Sequence, residues 1–387
     1  MANNFRMIAK TLYGFESILA KELLDLGAME IKEGNRMVSF VGDLGFMYKA
    51  NLCLRTAIKI LKPYESFRAN NEQELYDNIK KLPWEKFLAE DGSLAIDSAV
   101  HSDIFTHSQY VALKSKDAIV DRFREKYGKR PDVDLDFPDL RINIHIENNF
   151  CNVSFDSSGD SLHKRGYRSA TNIAPINEVL AAGMLLMSGW DGQCDFLDPM
   201  CGSGTIPIEA AMIACNIPPN LNRKEFAFEK WSDWDEDLYE KIEESSLKKV
   251  RDFHFKIKGY DKAPSAVMKA KENVKNANLS DFIEIQQKSF FESEKENEGY
   301  LHMLFNPPYG ERLEIDIEDF YGKIGDTLKQ NYPGTHAWFI ATNFDAIKSV
   351  GLRASRKIKL YNGPLEGRLL KYVLYEGSKK KSKQENN

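Results

Sequence analysis

"FLDPMCGSGTIPIEAA", Phe196–Ala211, carries an apolar strand into a helix through a loop with two glycines, Gly202 and Gly204. Such a turn brings bare backbone close to a ligand at the carboxyl end of a strand, because glycine accepts positive φ and puts no side chain in the way. A dinucleotide fingerprint would need a third glycine where Pro207 stands, and no Gly-Lys-Ser/Thr follows to make a phosphate loop. The acid Asp198 precedes the glycines, and its charge offsets the positive end of the following helix. A cationic or neutral ligand suits this loop better than a pyrophosphate.

Downstream, strand-like and helix-like segments alternate. "FKIKGYD", "FIEIQQKS", "YLHMLF" and "THAWFIAT" read as strands, separated by the helical "APSAVMKAKENVKNAN" and "DFYGKIGDTLKQN". Two closing strands, in "SRKIKLYNG" and "RLLKYVLYEG", meet at a Gly-Pro turn. With "CDFLDP" these make seven strands, and the pattern predicts an α/β domain with a mostly parallel, Rossmann-like sheet and an antiparallel edge hairpin. The second strand ends in Asp261, a position that commonly accepts ribose hydroxyls; it can also cap the helix that begins at Ala263. An acidic stretch over 217–251 reads as a helical insertion, with Trp231 and Trp234 as anchors that pack it onto the sheet.

Upstream, "FRMIAKT", "AIKILKPYESF" and "SLAIDSAV" read as strands. "LRINIHIENNFCNVSFDSSG" alternates, turns at Asn148-Asn149 and alternates again, which is a hairpin pattern. Amphipathic helices in "FESILAKELLDLG", "LGFMYKANLCLR", "EQELYDNIKKLPWEKF" and "DAIVDRFREKYG" complete one or two α+β layers. The rhythm changes near Gly159 to Leu162. We read residues 1–60 as a first segment, 61–160 as a second, 161–377 as the α/β domain and 378–387 as a disordered basic tail.

Bulk properties exclude several classes. The 387 residues include five scattered cysteines without a CxxC, which predicts reduced thiols in a cytoplasm rather than a disulfide frame. Seven dispersed histidines without HExxH give no expectation of a metal. No apolar run approaches a membrane span and the N-terminus lacks a signal-peptide pattern. The net charge of −5 argues mildly against nucleic acid, yet "KSKDAIVDRFREKYGKR" concentrates base locally.

One further motif carries chemistry. "LFNPPYGERL", Leu304–Leu313, stops a buried strand at Asn306 with two prolines and an aromatic ring. An exocyclic base amine is a poor nucleophile because its lone pair is delocalised into the ring. The Asn306 side-chain oxygen and the Pro307 carbonyl, stiffened by Pro308, can accept both of its N–H bonds and aim the lone pair at an electrophile held in line. Tyr309 offers a ring on which an extruded base can stack. The sulfonium methyl of S-adenosylmethionine is the electrophile that fits a site with Asp198 and no phosphate cradle.

These residues resemble a known family. "DPMCGSGT" and "NPPYG" look like the cofactor and catalytic motifs of S-adenosylmethionine-dependent amino-methyltransferases of the class I fold. "SGDSLHKRGYR" followed by "APINEVLAAGML" resembles, more narrowly, the RNA methyltransferases that carry a THUMP domain, above all the bacterial 23S ribosomal RNA guanine-N2 methyltransferases. The resemblance covers essentially the whole chain. It implies a ferredoxin-like segment over 1–60 and a THUMP RNA-binding domain over 61–160. It implies that Asp198, Cys201, Gly202, Gly204 and Thr205 line the cofactor's methionine side, that Asp261 holds its ribose, and that Asn306, Pro307, Pro308 and Tyr309 hold the target base.

At the end of the third strand the family often has an Asp for the adenine amino group; here "QQKSFFE" offers Ser289, with Phe290 available for stacking. Lys114, Lys116, Arg122, Lys129 and Arg130 would contact RNA phosphates from the THUMP-like helix. Arg165 and Arg168 would close over the cofactor or grip RNA, or else form an interdomain ion-pair cluster. Guanine N2 in 23S ribosomal RNA is the implied target. Transfer RNA, adenine N6, and a non-catalytic RNA-binding assembly factor are the alternatives.

Overall fold

A computed structural model describes residues 3–168, 175–308 and 316–375. Its contacts divide the chain into two units. The first gathers the opening eleven residues, Leu19–Leu162 and Arg223–Ser245; the second takes Leu12–Ile18, His163–Asn222 and the chain from Ser246 onward.

The first unit runs β1 (Phe5–Thr11), α1 (Glu16–Leu26), β2 (Met29–Gly34), β3 (Met37–Gly42), α2 (Leu44–Cys53), β4 (Ala57–Arg68), α3 (Glu72–Lys81), β5 (Ser93–His101), α4 (Ser108–Tyr127), β6 (Asp132–Val133), β7 (Leu140–Glu147) and β8 (Phe150–Asp156). All eight strands join one sheet in the order β2-β3-β1-β4-β8-β7-β5-β6. The long strand β4 unites it, with Leu61 facing Ile8 of β1 on one side and Asp156 of β8 on the other. The junction read at 60/61 therefore falls inside a continuous strand.

The β7–β8 hairpin forms at the expected place, with Asn148 in the turn at φ +55°. The β2–β3 pair was not legible, because "MEIKEG" is exposed or half-exposed throughout and shows no alternation. Two apolar cores form, one among β5, β7, β8, α3 and α4, the other among β1, β3, α1 and α2.

The second unit begins with α5 (Glu178–Ser188), β9 (Asp195–Asp198) and α6 (Thr205–Ala214). The chain then rejoins the first unit over Arg223–Ser245, which holds most of α7 (Glu236–Leu247). Phe228 stacks on Tyr48 of α2 at 4.6 Å between ring centroids, and Trp234 meets the same ring edge-on at 5.2 Å. Trp231 packs against Phe155 of β8 at 6.1 Å. The tryptophans do anchor the insertion, but to the N-terminal unit.

The second unit continues with β10 (Ile257–Asp261), α8 (Pro264–Asn276), β11 (Ile283–Gln287), β12 (Leu301–Phe305), α9 (Ile317–Asn331), β13 (Thr335–Ala341), α10 (Ala346–Ser349), β14 (Arg356–Asn362) and β15 (Leu365–Val373). Its sheet has the order β11-β10-β9-β12-β13-β15-β14. The first five strands are parallel and the last two antiparallel, as the pattern predicts. Strand order reverses direction between β9 and β12. In a doubly wound sheet this switch point opens a crevice at the carboxyl ends of the strands, where ligands bind. Among the described residues no helix is long and apolar enough to cross a membrane.

Candidate active site

Three of the candidate side chains stand at the carboxyl ends of three adjacent parallel strands: Asp261 on β10, Asp198 on β9 and Asn306 directly after β12. Gly259 lies opposite Asp198, and Met303 opposite Leu197. Parallel pairing thus brings together residues more than a hundred positions apart in sequence.

Hydrogen bonds fix the glycine loop. Asp261 accepts from Gly202 N at 3.0 Å and from Ala263 N at 2.9 Å, one bond to each oxygen. It therefore ties the loop to β10 and holds the turn that leads into α8 without capping that helix, and each oxygen keeps a lone pair for a further donor. Cys201 N donates to Tyr260 O at 2.8 Å, and Asn273 on α8 donates to Ser203 O at 2.9 Å. Sequence reasoning missed Asn273; its signal was a polar residue on the apolar face of an otherwise amphipathic helix.

Gly202 (φ +53°) and Gly204 (φ +83°) take conformations that L side chains rarely adopt. A Cβ at Gly204 would lie 3.2 Å from Ala270 Cβ, whereas one at Gly202 would meet nothing within 4 Å. Gly204 is needed for packing. Gly202 leaves open space for a ligand.

The electrostatics favour a cation. Asp198 is 1% exposed and accepts from Met200 N at 3.0 Å. Burial pushes its carboxyl well above the usual carboxylate range, and the charge of Asp261 adds to the effect. Burial likewise pushes up the Cys201 thiol, with both aspartates adding, so it stays protonated and is no nucleophile. After β12, Asn306 is half-buried and its Oδ1 is sequestered from solvent with no hydrogen-bond donor among the described residues. Pro307 is buried behind it and Pro308 exposed. Tyr309 lies outside the described residues.

Other predicted residues take different places. Ser289 is half-buried and begins a short 3-10 turn, next to Lys288, whose N–H donates to Asp261 O. The Phe290 ring is 3% exposed and packed among Phe291, Phe305 and Tyr332, so it is a core residue and offers no face for stacking. Arg165 is a correction too. It is 1% exposed and pairs with Glu209 of α6 at 3.2 Å and with Asn220, an ion pair inside the second unit, out of reach of RNA. Arg168 pairs with Glu178 at 2.7 Å and donates to Thr205 Oγ1 at 3.0 Å, which pins this segment to the first turn of α6.

In the first unit Arg122 forms a two-pronged pair with Glu85, 2.8 Å on each prong, and holds that carboxyl far below its usual range. It is a structural cation, not a phosphate ligand. Lys116 pairs with Asp117 and Lys114 lies over the Tyr76 ring. Lys129 and Arg130 are exposed just beyond the Gly128 cap of α4. Arg130, Arg124 and Lys116 share a cleft of about 880 Å³ with four aspartates between positions 117 and 136, so its charge is mixed.

A buried acid beside a second acid and an open glycine at a strand end suit a cationic cofactor such as S-adenosylmethionine. Fold and site define a class I, S-adenosylmethionine-dependent methyltransferase. Comparison with known proteins narrows this. The family described as "RMKL-like, methyltransferase domain" matches residues 165–371, a THUMP domain matches 69–156, and an "RlmL ferredoxin-like domain" matches 6–61.

A putative RNA methyltransferase of Synechocystis is 39% identical over 366 residues, covering 94% of this chain and 95% of the relative. The ribosomal RNA large subunit methyltransferase K/L of Syntrophotalea carbinolica is 37% identical over 378 residues, covering 94% of this chain and 53% of that protein. The chain thus spans about half the length of the K/L relative. A crystal structure of a putative methyltransferase complexed with SAH superposes with a TM-score of 0.84 at 30% identity, covering 98% of this chain and all of that one. The chain belongs to the RMKL-like family of S-adenosylmethionine-dependent RNA methyltransferases.

Proposed function

We propose that this protein methylates the N2 amine of a guanine in 23S ribosomal RNA, with the extruded base held by the Asn306–Tyr309 loop. The observation that carries the reading is Asn306 Oδ1, a sequestered acceptor without a donor among the described residues, directly after the strand that neighbours Asp198's at the switch point. A buried acceptor left unmade costs about 1–3 kcal/mol, so its natural use is to be filled by a substrate N–H.

S-adenosylmethionine supplies, when bound, an electrophilic methyl group on a positive sulfur. The chain's own residues do the rest. Asn306 Oδ1 and the Pro307 carbonyl accept the two N–H bonds of the base amine and turn its lone pair out of conjugation. The Pro-Pro unit keeps both acceptors from relaxing away, and Tyr309 is the ring assigned to stacking. Asp261 and the glycine loop fix the cofactor's ribose and amino-acid ends, and Asp198 compensates its positive charge. The ferredoxin-like and THUMP regions, proposed over 1–60 and 61–160, present the RNA, and a ribosomal substrate places the reaction in the cytoplasm. The names of the K/L relatives support ribosomal RNA as the substrate.

The test is methyl transfer from labelled S-adenosylmethionine to 23S ribosomal RNA taken from a strain lacking this gene, followed by nucleoside analysis. Label in N2-methylguanosine is expected, with Asn306→Ala lowering kcat at least a hundredfold while calorimetry shows S-adenosylhomocysteine affinity unchanged. Label in N6-methyladenosine would keep the loop chemistry and overturn the base. Cofactor binding without transfer to any RNA would point to a non-catalytic assembly factor.

A further inference from the structure

The closing hairpin of the second unit is where charge and aromatic rings concentrate beside the active site. Between Gly351 and Tyr375 the chain has six cations, Arg353, Arg356, Lys357, Lys359, Arg368 and Lys371, against one acid, Glu366. On a protein of net charge −5 this is strong segregation. It also differs from α4, where Lys116, Arg122, Arg124 and Lys126 are all held by carboxylates. On the hairpin, Glu366 takes Lys359 at 2.7 Å, while Arg353, Arg356 and Lys357 are exposed with no carboxylate in salt-bridge reach among the described residues.

Register places part of this charge at the level of the base-holding loop. Phe305 of β12 faces Phe339 of β13, Phe339 faces Leu370 of β15, and Leu370 faces Lys357 of β14. Two residues further on, Ala341 faces Arg368, and Arg368 faces Lys359. Continuing the β12 register, that is the level of Pro307. Arg368 is two strand spacings from the loop, about 10 Å at 4.8 Å per strand.

Aromatic rings interleave with these cations. The Arg368 guanidinium lies 4.4 Å from the centroid of Phe344, a ring 37% exposed. Lys359 lies over Tyr361 at 5.2 Å, and Tyr361 meets Tyr13, 44% exposed, edge-on at 5.4 Å. Cations alternating with exposed rings form the surface that binds single-stranded nucleic acid, through phosphate charge and base stacking.

We propose that the β14–β15 hairpin is a second RNA-binding surface, which holds the substrate strand next to the extruded nucleotide. Lys357 contacts a phosphate, Lys359 exchanges its solvent-exposed Glu366 partner for another, and Phe344 with Arg368 stacks on an adjacent base. The inference rests on the RNA reading above and adds to it that the catalytic domain itself grips the strand.

The test compares wild type with Lys357→Ala/Lys359→Ala and with Phe344→Ala, using unmodified 23S ribosomal RNA as ligand and substrate. The double lysine variant is expected to raise KM for RNA about tenfold with kcat retained. It should flatten the slope of log K against log salt by about 1.4, the single-strand value for two phosphate contacts. Phe344→Ala raises KM with the salt slope unchanged, because stacking releases no counterions. Lys357→Arg/Lys359→Arg restores binding. Unchanged calorimetric affinity for S-adenosylhomocysteine shows that each variant is folded. Wild-type RNA affinity and salt slope in the double variant would overturn this proposal while leaving the methyltransferase reading intact. RNA neither bound nor methylated by wild type would overturn both.

Discussion

Asp198 and His302 are both buried ionisable residues, and each makes a prediction. Because burial raises the Asp198 carboxyl, it holds a proton more readily than an exposed carboxyl would, and a bound positive charge favours losing it. S-adenosylmethionine binding should therefore release a proton and tighten as pH rises, by calorimetry in two buffers at a series of pH values. S-adenosylhomocysteine, without the sulfonium charge, should depend less on pH, and Asp198→Asn should flatten the dependence.

The His302 ring on β12 lies between Trp190 and Phe196, and burial lowers its pKa to about 3. Ser188 Oγ donates to Leu185 O, so it accepts from His302 Nε2 at 2.8 Å, which leaves Nδ1 as a buried acceptor with no partner among the described residues. Only the unfolded chain takes up this proton between about pH 6.5 and 3, so the contribution is present above the unfolded pKa and is lost as pH falls across that window. Urea unfolding at pH 7 and pH 5 should show a loss of stability approaching 1.4 kcal/mol per pH unit in this window, smaller in His302→Phe.

At the scale of elements, two glycines on α9 should behave oppositely. A Cβ at Gly325 would fall 1.8 Å from the Val350 carbonyl oxygen, so α9 and α10 can approach only because that position is bare. Gly325→Ala should cost about 1–3 kcal/mol through overpacking. One turn away a Cβ at Gly322 would be 3.6 Å from its nearest neighbour, and Gly322→Ala should be neutral or stabilising by up to about 1 kcal/mol from helix propensity. Denaturant midpoints of the two variants check both signs. Arg165 teaches a related lesson. In sequence it was one of several basic residues ahead of a helix; in the fold it is enclosed with Glu209 on α6, and Arg165→Ala should cost about 3–5 kcal/mol by stranding a buried carboxylate.

At the scale of the whole molecule, the chain leaves the catalytic unit at Arg223 and returns to it after Ser245. In between, Phe226 and Phe228 join the first unit's core with Met47 and Tyr48. Replacing residues 223–245 by a short Gly/Ser linker should expose that core, raise binding of a hydrophobic dye and lower the unfolding midpoint. The cofactor residues are not part of that core, so S-adenosylhomocysteine affinity should stay near wild type.

The sequence by itself determined the parallel sheet, the order of its strands along the chain and which polar residues stand at three strand ends. Those depend on local pattern: apolar runs of strand length, a glycine loop after Asp198, an acid at Asp261, and Asn306 before two prolines. The β7–β8 hairpin was legible for the same reason, since alternation and Asn148 are both local. What only the tertiary structure decided concerns partners distant in sequence. Whether a cation faces solvent or a carboxylate is set by what packs across from it, so Arg122 and Arg165 could not be told from the exposed Lys129 and Arg130. Phe290 read as a free ring until β12, α9 and Tyr332 closed around it. Trp231 and Trp234 showed that the insertion must be buried against something, but only the fold made that surface the N-terminal unit.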